Sequence, residues 1–161
     1  MSITDYNFSA NSLYLVAFAQ ARAPHAGLII PKDELTGTLV HIRIDRDTSS
    51  NWVMQVRQQK ITGEMTMTSL LRLRAASEGD APVTVEQLKE AAGVVPVPDN
   101  DEFGECVPWI FGVVRQLHVM GALCVADIEA LQSEFEEFAA GNRGYARRDK
   151  FPNVALATHC S

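Results

Sequence analysis

Apolar residues recur with a period near two along the first half of the chain and with helical spacing along the second half. Leu13, Tyr14, Leu15, Val16 and Phe18 make a nearly continuous apolar run within Ser12 to Arg22, the pattern of a buried strand. Pro24 leads into a second short strand, His25 to Ile30, closed by Pro31. The polar stretch Lys32 to Gly37 predicts a hairpin turn. From Thr38 to Asp45 the alternation is clean. Leu39, His41, Arg43 and Asp45 share one face, and Val40, Ile42 and Ile44 share the other. That places His41 off the Val/Ile face, where His25 could meet it. Asp47 to Asn51 is turn-like, Trp52 to Ile61 alternates again with Trp52, Met54 and Val56 on one side, and Met65 to Leu73 predicts a further strand.

Helices follow. Ala75 to Pro82 is a small-residue loop, after which Thr84 is an N-cap for Val85–Ala92 with Gln87 as its capping-box partner. Gly93 to Gly104 carries Pro96, Pro98 and an acidic run, so it is a loop that delivers Cys106 to the next helix. Trp109, Ile110, Val113, Val114 and Leu117 fall at helical spacing there, and Gly121 closes the helix. Ala126 to Ala140 predicts a last amphipathic helix capped by Gly141. The chain therefore divides into a strand-rich half (12–74), a helical half (84–140) and a tail (141–161), within one domain spanning 1–161.

Composition narrows the possibilities. A chain of 161 residues, 47% hydrophobic and 21% charged, can bury a real core, so wholesale disorder is excluded as an expectation. The net charge of −6 argues against nucleic acid as the main partner, because phosphate binding needs a basic face. The basic cluster Arg143, Arg147, Arg148 and Lys150 reads as a solvated surface. The start, Met1 to Tyr6, lacks a basic region followed by an apolar run, and no stretch reaches the roughly eighteen apolar residues of a membrane span. Cys106, Cys124 and Cys160 form no C-x-x-C pair, and an odd count without a leader predicts reduced thiols in a cytoplasmic setting. No two Cys or His residues show zinc-ligand spacing, so no metal and no cofactor are expected.

Chemistry concentrates on Cys106, His25 and His41. Cys106 opens a helix, where exposed N–H groups and the helix dipole favour thiolate. Pro108 fits only a first helical turn, which supports that placement against a plain core cysteine. An imidazole on a neighbouring strand could take the thiol proton and return it, and a second imidazole could orient the first. His118 lies three turns along the Cys106 helix, about 18 Å away at 1.5 Å per residue, too far to serve the thiol. Trp109 reads as core, and Cys124 as a possible mid-helix core thiol. His159 and Cys160 lie in the tail, outside this constellation.

The order strand-His, strand-His, helix-Cys resembles the circularly permuted papain-like enzymes typified by lecithin:retinol acyltransferase and its small phospholipase/acyltransferase relatives. The matching stretches are His25-Ala26-Gly27-Leu28, Gly37-Thr38-Leu39-Val40-His41 and Glu105-Cys106-Val107-Pro108-Trp109, with Gly121 closing the helix. More closely, the chain looks like small fungal proteins of the same layout with a Cys-x-x-Trp helix. The resemblance covers about residues 12 to 121. Ala26 stands where those enzymes have tryptophan, and Glu105 where they have asparagine; a carboxylate beside the thiol raises its pKa.

The expected fold is α+β: an antiparallel sheet of four to six strands packed by the Cys106 helix and its neighbours, in the permuted papain-like arrangement. The resemblance implies a cysteine-dependent acyl-transfer enzyme, hydrolase or acyltransferase, acting on a small-molecule or peptide-like substrate. Cys106 would be the nucleophile, His25 the general base and acid, and His41 the residue that orients His25. The Cys106 N–H would be an oxyanion donor. Two alternatives stand beside it: a non-catalytic domain that binds a small molecule or a partner, and a biosynthetic enzyme that uses the cleft without covalent catalysis.

Overall fold

A computed structural model of the chain describes residues 8–19, 25–44, 51–76, 81–147 and 150–161. The expectations for Met1–Tyr6, Arg22, Pro24, Asp45, Asp47–Ser50 and Arg148, and for 77–80 of the small-residue loop, lie outside these residues.

Six strands form one mixed sheet. They are β1 (Leu13–Phe18), β2 (His25–Pro31), β3 (Thr36–Ile44), β4 (Trp52–Lys60), β5 (Met67–Arg74) and β6 (Asn153–Leu156). The spatial order is β4-β3-β2-β1-β5-β6. All pairings are antiparallel except β5 with β6, which run parallel. The sheet is thus α+β as expected but not wholly antiparallel. The tail supplies β6 after returning from the helices, and a strand that returns after a long crossover can lie parallel to its neighbour.

Three helices follow the first five strands: α1 (Val85–Val94), α2 (Cys106–Val119) and α3 (Ile128–Gly141). Thr84 caps α1 through the predicted capping box, with the Gln87 side chain returning the bond. Gly104, at φ +89°, turns the chain into α2. The end of α2 is a Schellman motif: Gly121, at φ +80°, donates to His118 O, and Ala122 donates to Leu117 O. Asp127 caps α3 by accepting from Ala130 N.

Both faces of the central strands β1 and β2 are buried, which explains the unbroken apolar run of β1. On the helix side, Leu13, Leu15, Ala17, Ala26, Leu28, Val40 and Ile42 pack against Trp109, Ile110, Val113, Val114 and Leu117 of α2 and against residues of α1 and α3. On the other side, Tyr14, Val16, Phe18, Ile29, Leu39, Met67 and Leu70 form a smaller cluster with Phe8, Phe151 and Val154. Trp109 belongs to the core as expected, and its indole N–H reaches Val95 O at 3.3 Å. Cys124 is not in a helix core; it is exposed, in the turn after α2.

Candidate functional site

β2 and β3 build the site by alternation. His25 pairs with Phe18 across β1, and their rings lie 6.0 Å apart. Phe18 belongs to the cluster away from the helices, so His25 projects to that side. His41 projects the same way, because Val40 and Ile42 on either side of it face the helices. The two imidazoles meet edge to face, with His25 Nε2 2.8 Å from His41 Nδ1. The second ring nitrogen of His41, Nε2, lies 2.9 Å from Gln55 Oε1, on the residue that β3–β4 pairing sets opposite it.

Gly27 makes this approach possible. A Cβ there would stand 2.9 Å from Leu39 Cδ1 and 3.2 Å from His41 Cβ, so a side chain at 27 would push the imidazole away.

Both histidines are buried, and both titrate near 4 instead of the ordinary 6.5. Burial is the main cause for each, since it penalises the imidazolium. For His25 the neighbouring His41 and the charges of Arg57 and Arg43 add to it. For His41 the bond to Gln55 works the other way, while Arg57 and Arg43 again push down. At neutral pH the pair is uncharged.

A cavity of about 420 Å³ opens beside the pair, lined by His25, His41, Arg43, Ile44, Trp52 and Arg57. Its size suits a small ligand. Arg57 Nη2 donates to Gln59 Oε1. Trp52 is fixed at the rim by its indole N–H, which donates to Glu102 O at 3.0 Å.

Cys106 is not hydrogen-bonded to the pair. Its side chain is in the helix-side cluster with Ala26, Val40 and Ile42. Among the described residues, no hydrogen bond joins the thiol to His25 or His41. Ala26, not His25, faces α2, and one residue of strand is a change of face. The structure hydrogen-bonds two of the three expected site residues to each other, His25 and His41, while the Cys106 thiol packs in the helix-side cluster and takes the backbone N–H of Ala26, the residue next to His25. Burial pushes the Cys106 thiol above its ordinary value and Glu105 adds to the rise. The N–H groups of Ala26, Cys106 and Val107 pull against it. His118 faces away from both, its Nδ1 accepting from Val125 N at 3.1 Å.

Gln55, Arg57 and Trp52 were not singled out as site residues by sequence, and Arg43 only by its face. The face pattern Leu39-His41-Arg43 pointed to Arg43, but only the β3–β4 register puts Gln55 against His41. Among the described residues no group of three His, Cys, Asp or Glu could hold a metal ion, and no helix is long and apolar enough to cross a membrane.

No protein family matches the chain, and neither a curated protein nor a solved structure matches it.

Proposed function

We propose that the chain is a small-molecule-binding domain and that the cavity beside His25 and His41 takes an anionic ligand. The observation that carries this is the convergence of Arg43 and Arg57 with a buried, uncharged imidazole pair on one cavity. Two fixed positive charges near groups too buried to share a proton's charge create a site that an anion would complement. The Arg43 side chain makes no hydrogen bond or ion pair among the described residues, so its guanidinium is available to a carboxylate or phosphate. The test is calorimetric titration with small carboxylates and phosphate at low salt. Binding should weaken about tenfold or more in Arg43→Ala, the scale of one charged hydrogen bond. Equal affinity in parent and Arg43→Ala, or no binding across the panel, would overturn the reading.

A second reading is the cysteine-dependent acyl-transfer enzyme, with Cys106, His25 and His41 as its working residues. It is favoured by one observation: Cys106 opens α2 with the N–H groups of Ala26, Cys106 and Val107 directed at its sulfur. It needs the imidazole to reach the thiol, and burial of Cys106 works against a reactive thiolate. Sub-stoichiometric iodoacetamide labelling across pH 5 to 9 separates the readings. For the binding domain, exposed Cys124 labels before Cys106. Cys106 labelling first, with an inflection well below the free-thiol value of about 8.5 that is lost in His25→Ala, would favour the enzyme.

A further inference from the structure

The contact between the two imidazoles has a direction, and Gln55 sets it. Two ring nitrogens 2.8 Å apart cannot both carry hydrogens, so one donates and the other offers its lone pair. An amide oxygen can only accept, so His41 Nε2, 2.9 Å from Gln55 Oε1, carries the hydrogen of that ring. The neutral His41 then has its lone pair on Nδ1, and His25 Nε2 must donate to it. This leaves His25 Nδ1 as a bare lone pair. No hydrogen bond among the described residues takes it. Among the described residues no buried side-chain nitrogen or oxygen is left without a partner, so His25 Nδ1 is not sealed from solvent, and His25 is one of the residues that line the cavity.

We propose that Gln55 is a positioning residue that, through His41, holds His25 in the Nε2–H form, so that the cavity accepts an anion that also carries a hydroxyl: the anionic group on Arg43 and Arg57, the hydroxyl donating to His25 Nδ1. The ligand class is a small hydroxycarboxylate. This rests on the anion-site reading above. It goes further in assigning a polarity to the imidazole pair and a donor to the ligand.

The experiment has two parts, on the full chain. Nitrogen-15 imidazole spectra without ligand, with His25 identified by its loss in His25→Gln, report which ring nitrogen is protonated. His25 should carry its hydrogen on Nε2 in the parent and distribute over both tautomers in Gln55→Leu. A hydrogen on Nδ1 in the parent, as an inverted Gln55 amide would give, overturns the proposal, and so does a tautomer unmoved by Gln55→Leu. Titration with citrate and tricarballylate, which differ only by the hydroxyl, tests the ligand class. Citrate should bind roughly five- to tenfold tighter, the scale of one neutral hydrogen bond, and lose that preference in Gln55→Leu. Equal binding of the two acids overturns the hydroxyl assignment. Binding of neither overturns the anion site and the ligand class together, while the spectra still decide the role of Gln55.

Discussion

The two faces of this sheet are built for different work. On the helix side, aliphatic residues from β1, β2 and β3 meet three helices, and the cysteine there is one more buried group. On the opposite side, the apolar cluster is smaller and stops short of the β3–β4 end, where two histidines, a glutamine and two arginines take over. Adjacent residues of β3 belong to different faces: Ile42 to the core, His41 and Arg43 to the cavity. A strand can serve both because its side chains alternate at every residue. One face supplies the cohesion that lets the other hold buried imidazoles uncharged and arginines unneutralised.

Neighbours on β3 give the sharpest way to break the comparison. Ile42→Ala, on the helix side, should cost about 2–5 kcal/mol of unfolding free energy in a urea titration. A cost below 1 kcal/mol would mean that the helix face is not where the stability lies.

Acid should expose the other face. The folded pKa values of His25 and His41 lie near 4, below the unfolded value of 6.5, so protonation favours the unfolded chain. Their contribution is fully present above pH 6.5 and is lost as pH falls through 4. Each imidazole should account for a loss on the order of 3 kcal/mol between pH 7 and pH 4. Unfolding curves for the parent and a His25→Gln/His41→Gln variant should differ in slope over that window. Parallel pH profiles would show that the imidazoles are not held uncharged by the fold.

Gly27→Ala tests the close approach that seats His41. The added Cβ would force Leu39 or His41 to move, costing about 1–3 kcal/mol and shifting the His41 ring resonances. Unchanged spectra would show that the imidazole pair does not depend on the glycine. The smallest effect belongs to Arg43→Ala, beside Ile42. Its loss should change stability by about 0.5 kcal/mol or less while weakening anion binding. A large loss of stability would make Arg43 a structural residue and erase the division between the faces.

Much of this was legible in the residues. Alternation from Thr38 put His41 opposite Val40 and Ile42 and toward His25, and the hydrogen bond between the rings agrees. Thr84 with Gln87, and Gly121 after α2, marked helix ends by local chemistry that acts over three or four residues. The tail was harder. Asn153–Leu156 is four residues long, too short for a periodic signal, and becomes a strand because β5 presents an open edge. Gln55 had no local signature, since its partner lies fourteen residues back and is chosen by strand register.

The sequence by itself determined the first five strands, the helices and the face their side chains take, because those depend on periodicity and on contacts a few residues apart. It also brought Cys106 to a helix start. Only the tertiary structure decided what each face meets. Helix α2 packs on the side of Ala26 and Leu28, which buries the thiol among aliphatic residues and leaves the two histidines hydrogen-bonded to each other and not to the sulfur. Which face receives a helix depends on apolar area summed over β1, β2, β3 and β5, strands separated by tens of residues. No single motif carries that sum, so the order His, His, Cys along the chain did not determine which of the three would meet.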